Sequence, residues 1–343
     1  MADLGVVLSA RDAIAVESIR VDAPGPGEVV VRIEATGVCH SDLHVIEEDG
    51  WGFSYPILLG HEGAGTVEAV GEGARSLAPG DRVVLGWKTS CGECSACLRG
   101  DARRCKAPPA APGRLHRDDG TALTPVLRLG TFATRTVVPE AAAVKVPREL
   151  PVEQACLLGC AVATGVLSVL ETAKVWEGAR VAVIGCGAVG LSVVQGARLA
   201  GASVIRALDL DERKSTQALS FGATTTEPGP VDFVFDAVAR GTTFAQGLSL
   251  LASGGTYVLI GLSPGGEHAE IDLPRLFAKR ARILVSHGGD HLASEDFPRL
   301  ADWALEGELD LAAMVTRTAG LDGWREALDA MRSGDVIRTV LIP

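Results

Sequence analysis

Aromatic side chains make up only 4% of the 343 residues, while glycine alone contributes 41. That scarcity of large rings suits an α/β interior of small aliphatics more than a β-sandwich. Positive charge is also in deficit, with 32 Lys and Arg against 43 Asp and Glu and a net charge of −11. The acidic balance argues against a general nucleic-acid or anionic-membrane surface. The stretch Met1-Ala2-Asp3-Leu4 has neither a basic flank nor an apolar core, so no secretory signal is visible. No apolar run reaches membrane-spanning length. The longest uncharged run, 155–170, is interrupted by glycines and hydroxyls and reads as a buried helix. Repeats and low-complexity segments are absent as well. Eight cysteines in a chain with no visible signal fit thiolate metal chemistry better than disulfides, and the expected location is cytoplasmic.

The length allows two domains with sizeable cores. A Pro-Gly-Pro-Gly turn at 24–27 precedes a strand expected over 28–36, and β-like runs follow at 63–70 and 82–86. Residues 110–127 read as a solvated loop in which Arg114, His116, Arg117, Asp118 and Asp119 cluster. From Pro151 onward strand-helix units take over, with strands expected at 181–184, 204–208, 231–235, 256–260 and 283–286. Two amphipathic helices close the chain. One starts near Ser294 with Glu295 and Asp296 in its first turn. The other runs from about Asp322 to Arg332 and stops at Gly334.

The chain is organised around residues 181–199. Four apolar residues lead into Gly185, Gly187 and Gly190 with G-x-G-x-x-G spacing, and a helical pattern follows, with Val189, Val193 and Ala197 on one stripe. Such glycines allow a tight turn and a close approach to a pyrophosphate at a helix N-terminus. The next strand ends in Asp209, about where an acidic side chain grips a ribose hydroxyl. This is the pattern of a dinucleotide site.

Two cysteine sets carry metal chemistry. Cys91, Cys94, Cys97 and Cys105 fall within fifteen residues, a spacing that closes four thiolates around one tetrahedral structural zinc. Cys39, His61 and Cys160 are dispersed, but they stand in Cys39-His40-Ser41-Asp42-Leu43-His44 and Gly60-His61-Glu62 contexts. With these motifs, nearly the whole chain resembles the zinc-dependent medium-chain alcohol dehydrogenases, particularly the branch that includes thiol-adduct formaldehyde dehydrogenases.

The resemblance implies an α/β architecture in two domains. A GroES-like β-rich catalytic domain would span 1–160 and be completed by 288–343, and a Rossmann doubly wound parallel sheet would span 161–287. It implies two zinc ions and NAD. Cys39, His61 and Cys160 would hold the catalytic zinc, the two-cysteine, one-histidine set known from alcohol dehydrogenase. Ser41 would pass on the substrate proton and His44 would relay it outward. Asp42 and Glu62 would orient or transiently approach the metal. His40 and Arg338 would lie near the pyrophosphate, Thr164 near the nicotinamide, and Lys214 near the adenosine ribose. Trp87 would line the substrate pocket or serve as a core indole. Asp209 would repel a 2′-phosphate and so favour NAD over NADP. The substrate would be a small alcohol or aldehyde, its pocket shaped by loops such as 47–55. The chain would assemble as a homodimer or a tetramer, with no nucleic-acid or membrane partner. Cys156 and Cys186 have no implied role.

Two rivals share the scaffold. One is an NADPH-dependent reductase of a carbonyl, iminium or activated alkene, separable by cofactor preference. The other is a non-catalytic zinc-stabilised binding protein, against which the intact Cys39, Ser41, His44 and His61 set argues. One departure stands out: only 225–230 separate Thr224 from the strand at Val231. Six or seven extended residues reach ~20–25 Å. A normal third strand and a crossover helix cannot both fit, so a stub at 223–226 and an extended strap are expected.

Overall fold

The β-branched run over 28–37 forms the strand Glu28–Gly37, the spine of one seven-stranded sheet. On one side it pairs antiparallel with Glu62–Val70. On the other it pairs with Arg135–Pro139 along its first half and with Arg338–Ile342 at its last two residues. A second, five-stranded sheet is built on the hairpin Asp3–Ala10 and Ala13–Val21. The computed structural model describes residues 2–106, 110–111, 113–263 and 265–343. Within the expected loop 110–127, Leu115–Arg117 and Thr124–Pro125 add short edge strands to the second sheet.

The chain divides into two units, Met1–Cys160 with Leu292–Pro343, and Ala161–His291. The return to the first unit thus falls at Leu292, slightly beyond the expected 288. In the first unit Val29 and Val31 of Glu28–Gly37 pack with Val67, Val83 and Leu85, and a separate cluster joins Leu43 and Ile46 to Trp324 and Leu328.

The second unit is a parallel sheet ordered Val204–Leu208, Arg180–Ile184, Val231–Asp236, Leu251–Leu259, Arg282–Val285. Two expectations about helices need correction. The run 155–170 is not one helix: it breaks at Cys160 (φ −144°, ψ −76°) between the turn Cys156–Gly159 and the helix Ala161–Leu167. The helix Ala188–Leu199 is buried nearly all round rather than along one stripe, because Ala161–Leu167 packs on the face turned from the sheet. No single helix among the described residues is long and apolar enough to cross a membrane.

The missing crossover is visible in full. After the helix Glu212–Ala218, the third strand is reduced to one parallel bridge, Thr225 to Arg206. Residues 226–230 then run without helix to Val231. Arg206 takes over the task of the absent helix. It stands on the same sheet face as Ala182, Ile184, Leu208 and Val234, which the helix Gly241–Leu250 partly covers through Phe244. Its guanidinium donates to the Glu227 carbonyl at 2.8 Å and lies against Gly229. One arginine thus braces the strap across a face a helix would otherwise fill. Arg206→Ala is expected to cost about 1 kcal/mol and to raise deuterium uptake over 224–231. Unchanged exchange in that peptide would mean that other contacts hold the strap.

Candidate active site and metal centres

Sheet register assembles the first constellation. Gly37 faces Glu62 across one ladder and Val340 across the other. Three strand ends therefore converge, bringing Cys39, the His61-Glu62 pair and Arg338 together. Cys160 arrives from the broken helix. The sulfurs of Cys39 and Cys160, a nitrogen of His61 and a carboxylate oxygen of Glu62 all lie within 4.8 Å of one another.

Asp42 organises this cluster from behind. Cys39 caps the helix His40–Glu47, and the wholly buried Asp42 carboxylate accepts the Cys39 backbone N–H at 3.0 Å. Its other oxygen meets His61 Nδ1 at 3.3 Å. Burial opposes a charged His61, yet the Asp42 charge holds its imidazole well above the usual value. The other nitrogen, Nε2, is buried and makes no conventional hydrogen bond. Burial lifts the Glu62 carboxyl to about 8 against the pull of Arg338, whose Nη2 lies 3.1 Å from Glu62 Oε1. Arg338 also donates to the Val38 carbonyl at 2.6 Å, so it is a buried arginine of the cluster. A hydrogen bond from Cys160 holds the Cys39 thiol well below its ordinary range, and Cys160, which donates it, is pushed up. Two sulfurs and an imidazole nitrogen form a donor set suited to zinc, with Glu62 as a fourth donor.

The second cluster is a knuckle. The sulfurs of Cys91, Cys94, Cys97 and Cys105 are separated by 3.5 to 4.0 Å along the edges Cys91–Cys105, Cys94–Cys97, Cys91–Cys97 and Cys94–Cys105. Four sulfurs at the Zn–S distance of 2.3 Å would stand ~3.8 Å apart in a tetrahedron. Backbone N–H groups point at the sulfurs, Cys94 to Cys91 at 3.2 Å and Cys91 to Cys105 at 3.3 Å. An amide directed at Cys94 brings its thiol down to about 6. The loop is moored by Arg103, whose Nη1 lies 2.5 Å from the buried Asp296 of the helix Ala293–Leu305.

Of the other expected residues, Ser41 is half-buried with its hydroxyl 3.9 Å from Cys39 Sγ, and His40 is exposed at the helix start. His44 Nδ1 meets Glu48 Oε1 at 2.6 Å, and its ring stacks on Trp51 at 5.7 Å. Trp87 packs at the edge of the valine core and accepts a hydrogen bond from Arg128 on its carbonyl.

In the second unit, Gly185 takes φ +89° and lies under Val238, and a Cβ on Gly190 would collide with the Gly185 carbonyl oxygen. Asp209 accepts the N–H of Cys186 at 2.7 Å and that of Asp211 at 3.0 Å. Lys214 follows in the helix Glu212–Ala218, capped by Asp211. Thr164 is nearly buried on Ala161–Leu167.

One residue the sequence reading passed over is Asp236. Buried at the end of its strand, it accepts from the backbones of Val238 and Ala239, the Thr243 hydroxyl and the Tyr257 hydroxyl. It thereby shapes the loop that lies over the glycine turn. An acidic residue ending a parallel strand was the available signal.

Comparison with known proteins agrees with this geometry. The family profile "Alcohol dehydrogenase GroES-like domain" matches residues 25–148, and "Zinc-binding dehydrogenase" matches 188–306. The S-(hydroxymethyl)glutathione dehydrogenase of Paracoccus denitrificans is 33% identical over 98% of both chains. An alcohol dehydrogenase zinc-binding domain protein of Burkholderia ambifaria superposes with a TM-score of 0.93 at 32% identity, covering 100% of this chain and 99% of its own. Benzyl alcohol dehydrogenase of Acinetobacter calcoaceticus superposes at 0.90 with 27% identity and the same coverages. With both domain profiles matched and a curated relative aligned along its whole length, the chain belongs to the zinc-dependent medium-chain alcohol dehydrogenase family.

Proposed function

We propose that this enzyme oxidises a primary or secondary alcohol, or runs the reverse reduction, with two zinc ions per chain and NAD in preference to NADP. The observation that carries the reading is the buried cluster of Cys39, His61 and Cys160 with Glu62 and Arg338 beside it. When bound, zinc supplies Lewis acidity toward a substrate oxygen, and the nicotinamide supplies a hydride acceptor. The chain's own residues do the rest. Asp42 fixes the His61 ring so that Nδ1 is engaged and Nε2 is left for the metal. Two thiolates make the ligand set formally neutral with zinc, which suits an uncharged alcohol or aldehyde. Arg338 offsets the Glu62 charge, so that carboxylate can approach or withdraw without leaving a bare anion in the core. Ser41 takes the substrate proton and His44 carries it outward. Trp87 borders the substrate site. The four-cysteine knuckle is a closed structural site with no open coordination position.

Metal analysis of the active enzyme should return two zinc ions per chain. Cys160→Ser should abolish alcohol-dependent NADH formation and leave the thermal transition near that of the parent. Cys97→Ser should lower that transition, since it loosens the loop moored at Asp296. One zinc in fully active protein would disprove the two-site reading.

The cofactor reading rests on Gly185, Gly187, Gly190 and Asp209, with Lys214, Thr164, His40 and Arg338 in the supporting roles that family resemblance gives them. Asp209 disfavours a 2′-phosphate. Leu210 stands fully exposed beside it, and the third strand is a single bridge, so the wall offered to an adenine is thin. Titration calorimetry should find NAD bound more tightly than NADP yet more weakly than in relatives with a full crossover helix. Tight NAD binding with an enclosed adenine would contradict the second half of this expectation.

We assign a homodimer to the exposed edge strand Arg282–Val285. Val285 and Ile283 are open to solvent there, together with Phe277, Leu273, Ile271 and Leu262 of the same unit. An unpaired apolar edge is stabilised by pairing with a second copy across a two-fold axis. Light scattering at micromolar concentration should give twice the chain mass, or four times if dimers pair, and Val285→Lys should shift it toward the monomer. A monomeric parent would refute the assignment. None of the eight cysteines is paired in a disulfide, which fits a cytoplasmic enzyme.

A further inference from the structure

The helix His40–Glu47 ends in an unusual segment. Asp49, Gly50, Trp51 and Gly52 have φ of +51°, +77°, +48° and +82°, four left-handed residues in succession, two of them not glycine. Backbone strain of this kind persists only where the surroundings enforce it, and it concentrates at functional sites. Here the enforcing contacts are specific. The Tyr55 hydroxyl donates to Asp49 at 3.0 Å, the Trp51 N–H donates to the Glu48 carbonyl at 3.1 Å, and the Phe53 ring meets Trp51 edge-on. The result is that the Trp51 indole lies 5.7 Å from the His44 ring at an interplanar angle of 27°. On the helix itself, Glu48 sits one turn beyond His44. Its N–H donates to the His44 carbonyl, and its carboxylate meets His44 Nδ1 at 2.6 Å.

The imidazole is therefore held twice, in its plane by Trp51 and about its axis by Glu48. A carboxylate only accepts, so its partner nitrogen Nδ1 carries the hydrogen and Nε2 is the free acceptor. We infer that Glu48 is a positioning residue of the reaction, acting only through His44: it fixes the tautomer and orientation in which Nε2 receives the substrate proton, while Trp51 clamps the ring. This rests on the reading of His44 as the proton outlet. The step balances simply. Nε2 gains one proton and becomes N–H, Nδ1–H keeps its hydrogen bond to Glu48 throughout, and solvent then removes the Nε2 proton to restore the neutral ring. Without Glu48 either tautomer is open, and rings with Nε2 already protonated cannot accept.

The test is a double-variant cycle on the holoenzyme, reading single-turnover NADH formation from benzyl alcohol by stopped flow. Glu48→Ala is expected to slow the burst roughly 10-fold, at the lower end of what loss of an orienting partner costs. His44→Gln should slow it by roughly 10²-fold. In the His44→Gln background, Glu48→Ala should add nothing, because a residue acting through another has no separate effect once that one is gone. Glu48→Asp should recover part of the loss if the shorter carboxylate still reaches Nδ1. An equal loss from Glu48→Ala in both backgrounds, or no loss with His44 present, overturns the inference even if His44→Gln is impaired. A normal burst in His44→Gln removes the proton outlet, and the role of Glu48 with it. Zinc content and the thermal transition of each variant establish that the comparison is between folded, metallated enzymes.

Discussion

The first unit is arranged around an excess of buried acidity. Cys39, Cys160, Glu62 and Asp42 converge on a space to which Arg338 and His61 bring positive charge. Isolated charges in such surroundings are costly, and the usual remedies are pairing or a metal. Each neighbouring feature answers that constraint. The guanidinium is drawn into the core to meet Glu62, Asp42 is saturated by a backbone amide and an imidazole, and the thiols share a proton. A dication held by the same donors would complete the balance, and the sheet register that aligns Gly37 with Glu62 and Val340 makes the convergence possible.

The second unit solves a different problem, how to do without a helix. A parallel sheet needs both faces covered. One face keeps its ordinary cover in Ala188–Leu199 and Ala161–Leu167, and on it Trp176 meets Phe233 edge-on at 4.6 Å. The other relies on Gly241–Leu250 and on the strap, which Arg206 ties down at the Glu227 carbonyl. Arg206 suits the post because a long side chain can reach across the sheet edge while its head satisfies a carbonyl that the strap leaves open. The saving is a whole element, and it thins the structure next to Asp209.

Much of this was legible in the sequence because the relevant signals are local. The glycine turn, the four-cysteine knuckle and the acidic residue ending the second strand depend on spacing alone. The shortened connection followed from counting residues against chain reach. Other features required the tertiary arrangement. The break at Cys160 follows Gly159, where a Cβ would meet the Leu85 carbonyl oxygen at 2.6 Å, a close approach that the run's own composition does not reveal. The pairing of Arg338 with Glu62 spans most of the chain, so no window of sequence contains it. The cradle around Asp236 draws donors from a loop, a helix and the next strand. Residues 49–52 look like an ordinary glycine-rich loop, and their left-handed geometry emerges only from the contacts of Tyr55 and Trp51.

The position of Cys160 also sets a rule for rearranging this protein. It is the last residue of the first unit before the chain departs into the second, and Leu292 is the first on return. One sulfur of the buried cluster therefore stands at the splice point itself. A first unit made alone, by joining the two ends with a linker, keeps every sulfur and the imidazole of both metal clusters only if the junction falls after 160. Moving it a single residue earlier deletes one of the cluster's two sulfurs without disturbing a single strand.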